Sequence, residues 1–514
     1  MPYKRISLKL NALSNWIALG VNVAVGFFLT PAILAYLGEK RFGMWMLVNS
    51  VVGYFGLLRL GVGPGLFRYV PLFHGKGDQD RVGRVVSTGI AFHTGVGVLI
   101  CIILFLSADA IADFFHGTRE LVALIRLIGL AAAIECPALA LDTTIRSCEG
   151  FVLANFVTIL GAILRAGLLF GCIAMGYGLV PMGWAIVIVT FALLVGKGVA
   201  FRSFCKDVHF STKRICLSDL KMLISFGVVI SIASLGDVLT TQAPKQVIGK
   251  VMSLEALGFF GIAALLVSYY VRSIYQLTKV LMPRFSYLSG RGADTEIRRL
   301  FLRSTRCVMI ITGALALLLW VIGPSFLRLW VKNDEITQVI PALMILVAGN
   351  FILLSHNTST NLLFALGQQR KVAMLAIIEG ILVLGFSLAL SYRYGMIGVA
   401  VGISVPFVLV RGVIQTKYAC KLLKLRFWRY YAECIWGTSV ITVILAGAFC
   451  WLRVGKFASN WAFLVLVSGF LVLSYGMAIY TLVLKGDERN ALGEYVQKTL
   501  SRAYRVLLAG FSGR

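Results

Sequence analysis

The sequence predicts an all-α polytopic membrane protein of about fourteen spans, and three observations carry that prediction. First, the chain is 59% hydrophobic and only 14% charged, with a mean hydropathy of +0.87, whereas soluble chains carry about 25% charged residues. Second, apolar runs of about 20 residues, enough for a helix to cross roughly 30 Å of hydrocarbon, recur from end to end. Third, these runs are continuous rather than alternating, which disfavours a β-barrel.

Spans are expected at 12–37, 42–61, 83–106, 121–142, 151–175, 179–202, 220–242, 253–279, 301–323, 339–365, 371–393, 396–418, 431–453 and 460–484. The first follows Lys4, Arg5 and Lys9. It is too long for a signal-peptide core and lacks a cleavage pattern, so it reads as a retained span. The stretch Leu29–Tyr69 reads as a helical hairpin: the end of one span, a charged turn at Gly38–Arg41, a second span, then a Gly/Pro break flanked by Arg59 and Arg68.

The net charge of +27 is distributed as topology. Alternate connections hold roughly thirty Lys and Arg against roughly ten, which by the positive-inside rule places the N-terminus inside. An even span count places the C-terminus there too. Examples on the inner side are Arg68, Lys76, Arg81 and Arg84, then Arg284, Arg291, Arg298 and Arg299; Lys40, Arg41, Lys245, Lys250, Arg328 and Lys332 fall outside. No basic run interleaved with aromatics forms a separate region, so no nucleic-acid partner is expected. The connections at 204–219 and 283–299 are long enough only for loops or short surface helices. Past Lys485, Leu492, Val496, Leu500, Tyr504 and Leu507 share a helical face among basic residues; a helix lying on the inner leaflet and a plain solvated tail both fit.

The ten cysteines show neither CxxC nor zinc spacing, so no disulfide framework and no metal site is expected. There is no P-loop, GxSxG or HExxH, and the five histidines do not cluster in sequence. No large outer loop carries carboxylates for glycosyl transfer. The chain therefore reads as neither an enzyme nor a cofactor protein, with any driving force drawn from ion gradients, membrane potential or substrate supply.

The chain also repeats itself. Gly150 opens a span that closes at Tyr177-Gly178, and Gly367 opens one that closes at Tyr394-Gly395 (367 − 150 = 217; 394 − 177 = 217). Gly43 and Gly258 lie in similar stretches (258 − 43 = 215). Two matches at nearly one offset indicate a duplication of six spans. An even-span repeat gives two halves related by an axis along the membrane normal, with a substrate site between them. The expected organisation is a first lobe at 1–215, a second at 216–425, two additional spans at 426–484, and a basic tail at 485–514.

Ionisable groups within spans are costly, about 2.5–3.5 kcal/mol near the centre on insertion scales. Arg165 lies near or past the midplane of its span, and Glu135 and Glu379 lie at similar depth. Arg165 reads either as a cavity-lining cation or as half of a structural ion pair. Arg59, Arg68, Arg272 and Arg411 lie nearer inner ends; they read as snorkelling residues or as a cationic mouth for an anionic headgroup. Polar stripes run along three spans: Asn15 and Asn22; Ser234, Asp237 and Thr241; and Asn350, Asn357 and Asn361 with His356 beside them. They suit interhelical hydrogen bonding or a cavity for sugar hydroxyls.

A family resemblance rests on Pro31, Tyr36-Leu37-Gly38, Phe42-Gly43-Met44-Trp45, Gly56-Leu57-Leu58-Arg59-Leu60-Gly61, Gly63, Gly65 and Arg68-Tyr69-Val70, with an echo from Ile248-Gly249-Lys250 to Leu257-Gly258-Phe259-Phe260. These segments resemble the polysaccharide biosynthesis and oligosaccharide (O-antigen type) flippases of the multidrug/oligosaccharidyl-lipid/polysaccharide exporter superfamily. The resemblance implies two six-helix lobes, a central cavity and alternating access. The implied cargo is a lipid-linked oligosaccharide, usually on undecaprenyl pyrophosphate, turned from the inner to the outer leaflet of the bacterial cytoplasmic membrane. The implied partners are membrane lipids and the polysaccharide polymerase and chain-length machinery. Many relatives carry an acid where Arg59 stands, so no acid-based role transfers there.

On this reading Arg165, Arg59, Arg68 and Arg272 meet the pyrophosphate, the Asn350, Asn357 and Asn361 stripe meets sugar, and Asp237, Glu135 and Glu379 are candidates for ion coupling. The competing readings are a multidrug/cation antiporter, a flippase for a lipid-linked peptidoglycan precursor, and a non-transporting scaffold.

Overall fold

A computed structural model describes residues 8–206, 208, 210–452, 460–484 and 489; among these there is no strand. The helices are α1 (Leu8–Phe55), α2 (Val62–Gly75), α3 (Gln79–Phe114), α4 (Arg119–Ser147), α5 (Phe151–Ala174), α6 (Leu179–Phe204), α7 (Leu217–Val251), α8 (Leu254–Thr278) and α9 (Leu281–Gly290). They continue with α10 (Asp294–Val331), α11 (Ile340–Ser355), α12 (Asn357–Ala365), α13 (Gln369–Pro406), α14 (Thr416–Leu422), α15 (Phe427–Tyr430), α16 (Gly437–Trp451) and α17 (Trp461–Leu482). The tail beyond residue 485, apart from Arg489, and the N-terminal basic residues Lys4 and Arg5 lie outside the described residues.

Eleven helical stretches among the described residues are long and apolar enough to cross a membrane. Two of them are double. The 48 residues of α1 would measure about 72 Å if straight, more than twice the hydrocarbon thickness. The break falls at Gly38, with φ 77° and ψ 170°, a conformation in which a Cβ would be strained. The stretch Gln369–Leu422 breaks likewise at Gly395. With α7, whose segment from Met222 to Thr240 carries only Asp237 as a charge, the count is the expected fourteen. The turn expected at Gly38–Arg41 and the break expected at Gly395 both fall at these glycines.

Helices overrun the expected spans because the apolar pattern marks only the hydrocarbon-crossing part of each. The segment Gly61–Gly65, read as a break, instead starts α2: Leu60 and Gly61 are left-handed, and Val62, Leu66, Val70 and Phe73 then bury one face. The expected span 339–365 is two helices, interrupted at His356 (φ −96°, ψ 6°).

The described residues form two compact units. One comprises Met1–Arg272, Trp330–Asn350 and Gly367–Gln415; the other comprises Ser273–Leu329, Phe351–Leu366 and the chain from Thr416 onward. In the first unit, α7 packs along α13, and α3, α4 and α6 form a bundle. In the second, α16 and α17 pack on α10 through Leu317, Val321, Phe449, Leu471 and Tyr475. The Tyr475 hydroxyl donates to the Ile310 carbonyl at 3.0 Å, so the buried phenol is not left unsatisfied.

The duplication has a geometric counterpart inside the first unit. A Cβ on Gly43 would lie 1.7 Å from the Leu254 carbonyl oxygen, and one on Gly258 would lie 2.8 Å from the Glu39 carbonyl oxygen. Leu254 and Glu39 are themselves 215 apart (254 − 39 = 215), the offset of the two glycines. The contact therefore maps onto itself when the halves are exchanged, as contacts at a two-fold axis do.

Candidate site: charged groups within the spans

The first unit holds the buried charges that the spans supply. On α13, Glu379 is 2% exposed. Its carboxylate accepts two hydrogen bonds from the Arg411 guanidinium, at 2.7 and 3.1 Å. Arg411 also donates to the Gln415 side-chain oxygen at 3.0 Å. The arginine sits in a π-helical stretch, Phe407–Gln415, a widened turn of the kind that recurs at functional sites. Asp237 on α7 lies within electrostatic range of both Arg411 and Glu379, yet is itself exposed. Of the three acids expected to take part in coupling, Glu379 is thus held by a planar guanidinium fork, while Asp237 stays open.

A different arrangement surrounds Lys245. This residue was assigned to an outer connection by its charge. In the structure α7 runs on to Val251, so Lys245 stands six positions, about 9 Å, inside the helix. Its ammonium donates to the Gln242 side-chain oxygen at 3.2 Å. Arg272, the exposed arginine of α8, lies within electrostatic range, as does Tyr269. The first half closes on this group: a Cβ on Gly53 would meet the Gln242 side chain at 2.9 Å, and one on Gly26 the Tyr269 hydroxyl at 2.7 Å. Neither Lys245 nor Arg272 has a carboxylate partner among the described residues. Two like charges are thus held near each other with no internal counter-charge.

Arg165 on α5 is exposed, and Glu135 on α4, also exposed, is the acid within its electrostatic reach. The two form no salt bridge. Arg59 sits at the end of the 3-10 turn Gly56–Arg59 and points toward Cys136 and His93, beside α3 and α4. Arg68 on α2 is exposed and stacked on Phe226, 4.5 Å from its centroid.

The asparagine stripe is interrupted at His356, and its amide groups are spent on protein. Asn350 donates to the Leu346 carbonyl (2.8 Å), Asn357 to the Thr278 hydroxyl (2.6 Å) and Asn361 to the Asn357 carbonyl (3.1 Å). His356 is 1% exposed and is enclosed by the hydroxyls of Thr416 (3.0 Å), Tyr430 (3.2 Å) and Tyr431 (3.2 Å).

Two features escaped the sequence reading. One is a charged network in the first half. Arg146 bonds Asp142 at 2.7 Å, and Lys197 approaches the same carboxylate at 3.5 Å. Arg146 also donates to Asn155, whose amide reaches Ser14 and Asn15. The i,i+4 spacing of Asp142 and Arg146 was the available signal. The other is a closure between the repeated halves. The Asn333 amide donates to the Glu39 carboxylate (2.6 Å), Lys250 to the Phe114 carbonyl (2.7 Å), and the Trp330 indole to the Phe27 carbonyl (2.8 Å).

Comparison with known proteins bears out the family resemblance. Residues 76–331 match the family model described as polysaccharide biosynthesis protein. The chain is 20% identical to the uncharacterized membrane protein EpsK of Bacillus subtilis, over 95% of this chain and 98% of that one. It is 19% identical to a putative O-antigen transporter of Shigella flexneri, over 74% of this chain and 90% of that one. It is also 22% identical to a probable low-salt glycan biosynthesis flippase, Agl15, of Haloferax volcanii, over 60% of this chain and 63% of that one. Among solved structures, an inward-facing multidrug resistance transporter of the MATE family, MOP superfamily, superposes with a TM-score of 0.71. It shares 16% identity, covering 79% of this chain and 98% of that one. The fold is therefore that of this superfamily.

Proposed function

We propose that this chain, a relative of the polysaccharide biosynthesis proteins, is a flippase. Its cargo is a lipid-linked oligosaccharide of the undecaprenyl-pyrophosphate type, moved from the inner to the outer leaflet of a bacterial cytoplasmic membrane, with both termini cytoplasmic. The observation that carries this reading is the Lys245–Arg272 pair. Two cations within electrostatic range of each other and without a carboxylate partner favour an anion that joins them. A pyrophosphate supplies such an anion, and a guanidinium can bind its oxygens bidentately. Arg165 is a further open cation in the first half. The names of two relatives, a probable glycan biosynthesis flippase and a putative O-antigen transporter, support a glycan as the cargo class.

Movement follows from alternating access between lobes 1–215 and 216–425. The contacts between the halves at Glu39–Asn333, Lys250–Phe114 and Trp330–Phe27 include hydrogen bonds worth about 0.5–1.5 kcal/mol net each, or about 1.5–3 where a charge takes part, beside ring contacts of Lys250 with Phe114 and of Trp330 with Phe27. Such a seal can be exchanged for contacts elsewhere as cargo binds. Asp237, the open acid beside Arg411, is the candidate for ion coupling.

The test is transport of a fluorescent undecaprenyl-pyrophosphate-linked saccharide in proteoliposomes. Wild type translocates it, and Lys245→Glu, at unchanged folded yield, does not. Unchanged transport by that variant would remove the anion-site reading. The same vesicles loaded with a cationic drug address the antiporter reading, which Asp237 favours as an exposed intramembrane acid: drug efflux abolished by Asp237→Asn without glycan-lipid movement would replace the flippase.

A further inference from the structure

We infer that the exposed face of α9 binds the phosphate of an anionic phospholipid of the inner leaflet, with Arg284 and Arg291 as its ligands and Tyr287 as their platform. The helix is amphipathic: Phe285 and Leu288 are buried, while Met282, Arg284 and Tyr287 are exposed. Val280, just before it, is 71% exposed. Both guanidinium groups lie against one ring, with Arg284 Cζ 5.6 Å and Arg291 Cζ 5.7 Å from the Tyr287 centroid. Arg291 also donates to the Tyr287 hydroxyl at 3.4 Å. Neither arginine pairs with a carboxylate among the described residues, although Asp294 and Glu296 follow at once in the chain.

The chemistry of this face matches one partner. Its charge is uncompensated and positive, and the positive-inside distribution puts it at the cytoplasmic surface, where anionic lipids attract basic segments. Val280 and Met282 suit the acyl boundary, and a tyrosine with an apolar ring and polar tip suits headgroup depth. Contact with a common ring narrows the range of two long side chains in advance, so less side-chain entropy is lost when both close on a phosphate.

The first half carries one arginine in a comparable setting. Arg68 lies 216 residues before Arg284 (284 − 68 = 216), within the offsets of the repeat. It too stands on a short helix after the second span of its half. It lies 4.5 Å from the Phe226 centroid and 5.4 Å from that of Tyr69, with Phe67 and Leu72 exposed beside it. An arginine seated on a ring, on a surface helix with exposed apolar side chains, has been kept in both copies.

The site is tested on the full-length protein by native mass spectrometry after incubation with phosphatidylglycerol, phosphatidylcholine or undecaprenyl pyrophosphate, each separately. Wild type should retain phosphatidylglycerol in clear preference to phosphatidylcholine. The double variant Arg284→Gln/Arg291→Gln should lose at least fivefold of that retention, with Arg284→Lys/Arg291→Lys in between, all at unchanged melting temperature. Equal retention of the two lipids by wild type, or undiminished phosphatidylglycerol in the Gln double variant, overturns the proposal. So does selective loss of undecaprenyl pyrophosphate instead of phosphatidylglycerol, which would make the cargo the occupant. Because lipid retention is read without transport, failure of the flippase reading leaves this result standing, and the reverse.

Discussion

Glu379–Arg411 and Lys245–Arg272 are pairs of charged side chains in the same compact unit, and they solve the cost of charge in a membrane in opposite ways. The first is closed: a bidentate fork, a further bond to Gln415, and little exposure. The second joins like charges, leaves Arg272 exposed, and takes only an amide oxygen from the protein. Charge compensated within the fold serves the fold; charge left uncompensated calls for something from outside it. That contrast separates groups that intramembrane position alone would treat alike.

The largest effect should come from breaking the closed pair. Arg411→Met leaves a buried carboxylate alone and should cost about 3–5 kcal/mol, read as a large fall in melting temperature in detergent. The double variant Glu379→Leu/Arg411→Met should recover most of it; a double variant as unstable as the single one would mean that the pair does more than neutralise itself. Next comes the open pair. Lys245→Gln should leave the melting temperature unchanged and weaken binding of a pyrophosphate lipid by about 10- to 100-fold, the equivalent of about 1.5–3 kcal/mol for a charged hydrogen bond. A destabilised Lys245→Gln protein would erase the distinction between the pairs. A smaller loss, about fivefold or about 1 kcal/mol, is expected for Arg165→Gln, since Glu135 already offsets part of its charge. Smallest is the exposed pair Arg41–Glu120, bidentate at 2.8 and 2.9 Å. A double-mutant cycle there should return about 0.2–1 kcal/mol, and less in high salt.

Span number and duplication were legible because hydrocarbon thickness acts on composition and an internal repeat acts on spacing, both of which a single sequence displays. Gly43 and Gly258 were visible as an echo, but not the contact that requires them. The site was legible only in part. Depth along a span identified Glu379 and Arg165 as interior, yet could not say that Arg411 closes on the first. Lys245 reads as a connection residue from the sequence because charge density marks a loop as readily as a half-buried cation in the last turns of a helix. The asparagine stripe assumed one continuous helix, and the interruption at His356 depends on Tyr430, Tyr431 and Thr416, far along the chain. No local pattern announces such a partner set.

The contact of Gly43 with Leu254, mirrored by Gly258 with Glu39, has a consequence for assembly. A self-equivalent contact is what two identical subunits make across their axis, so the halves of this chain meet at this point as the subunits of a homodimer would. Its halves should recognise each other without the covalent link. Co-expressed as separate polypeptides cut in the 204–219 connection, they should copurify, and Gly43→Leu in one fragment should abolish capture of the other.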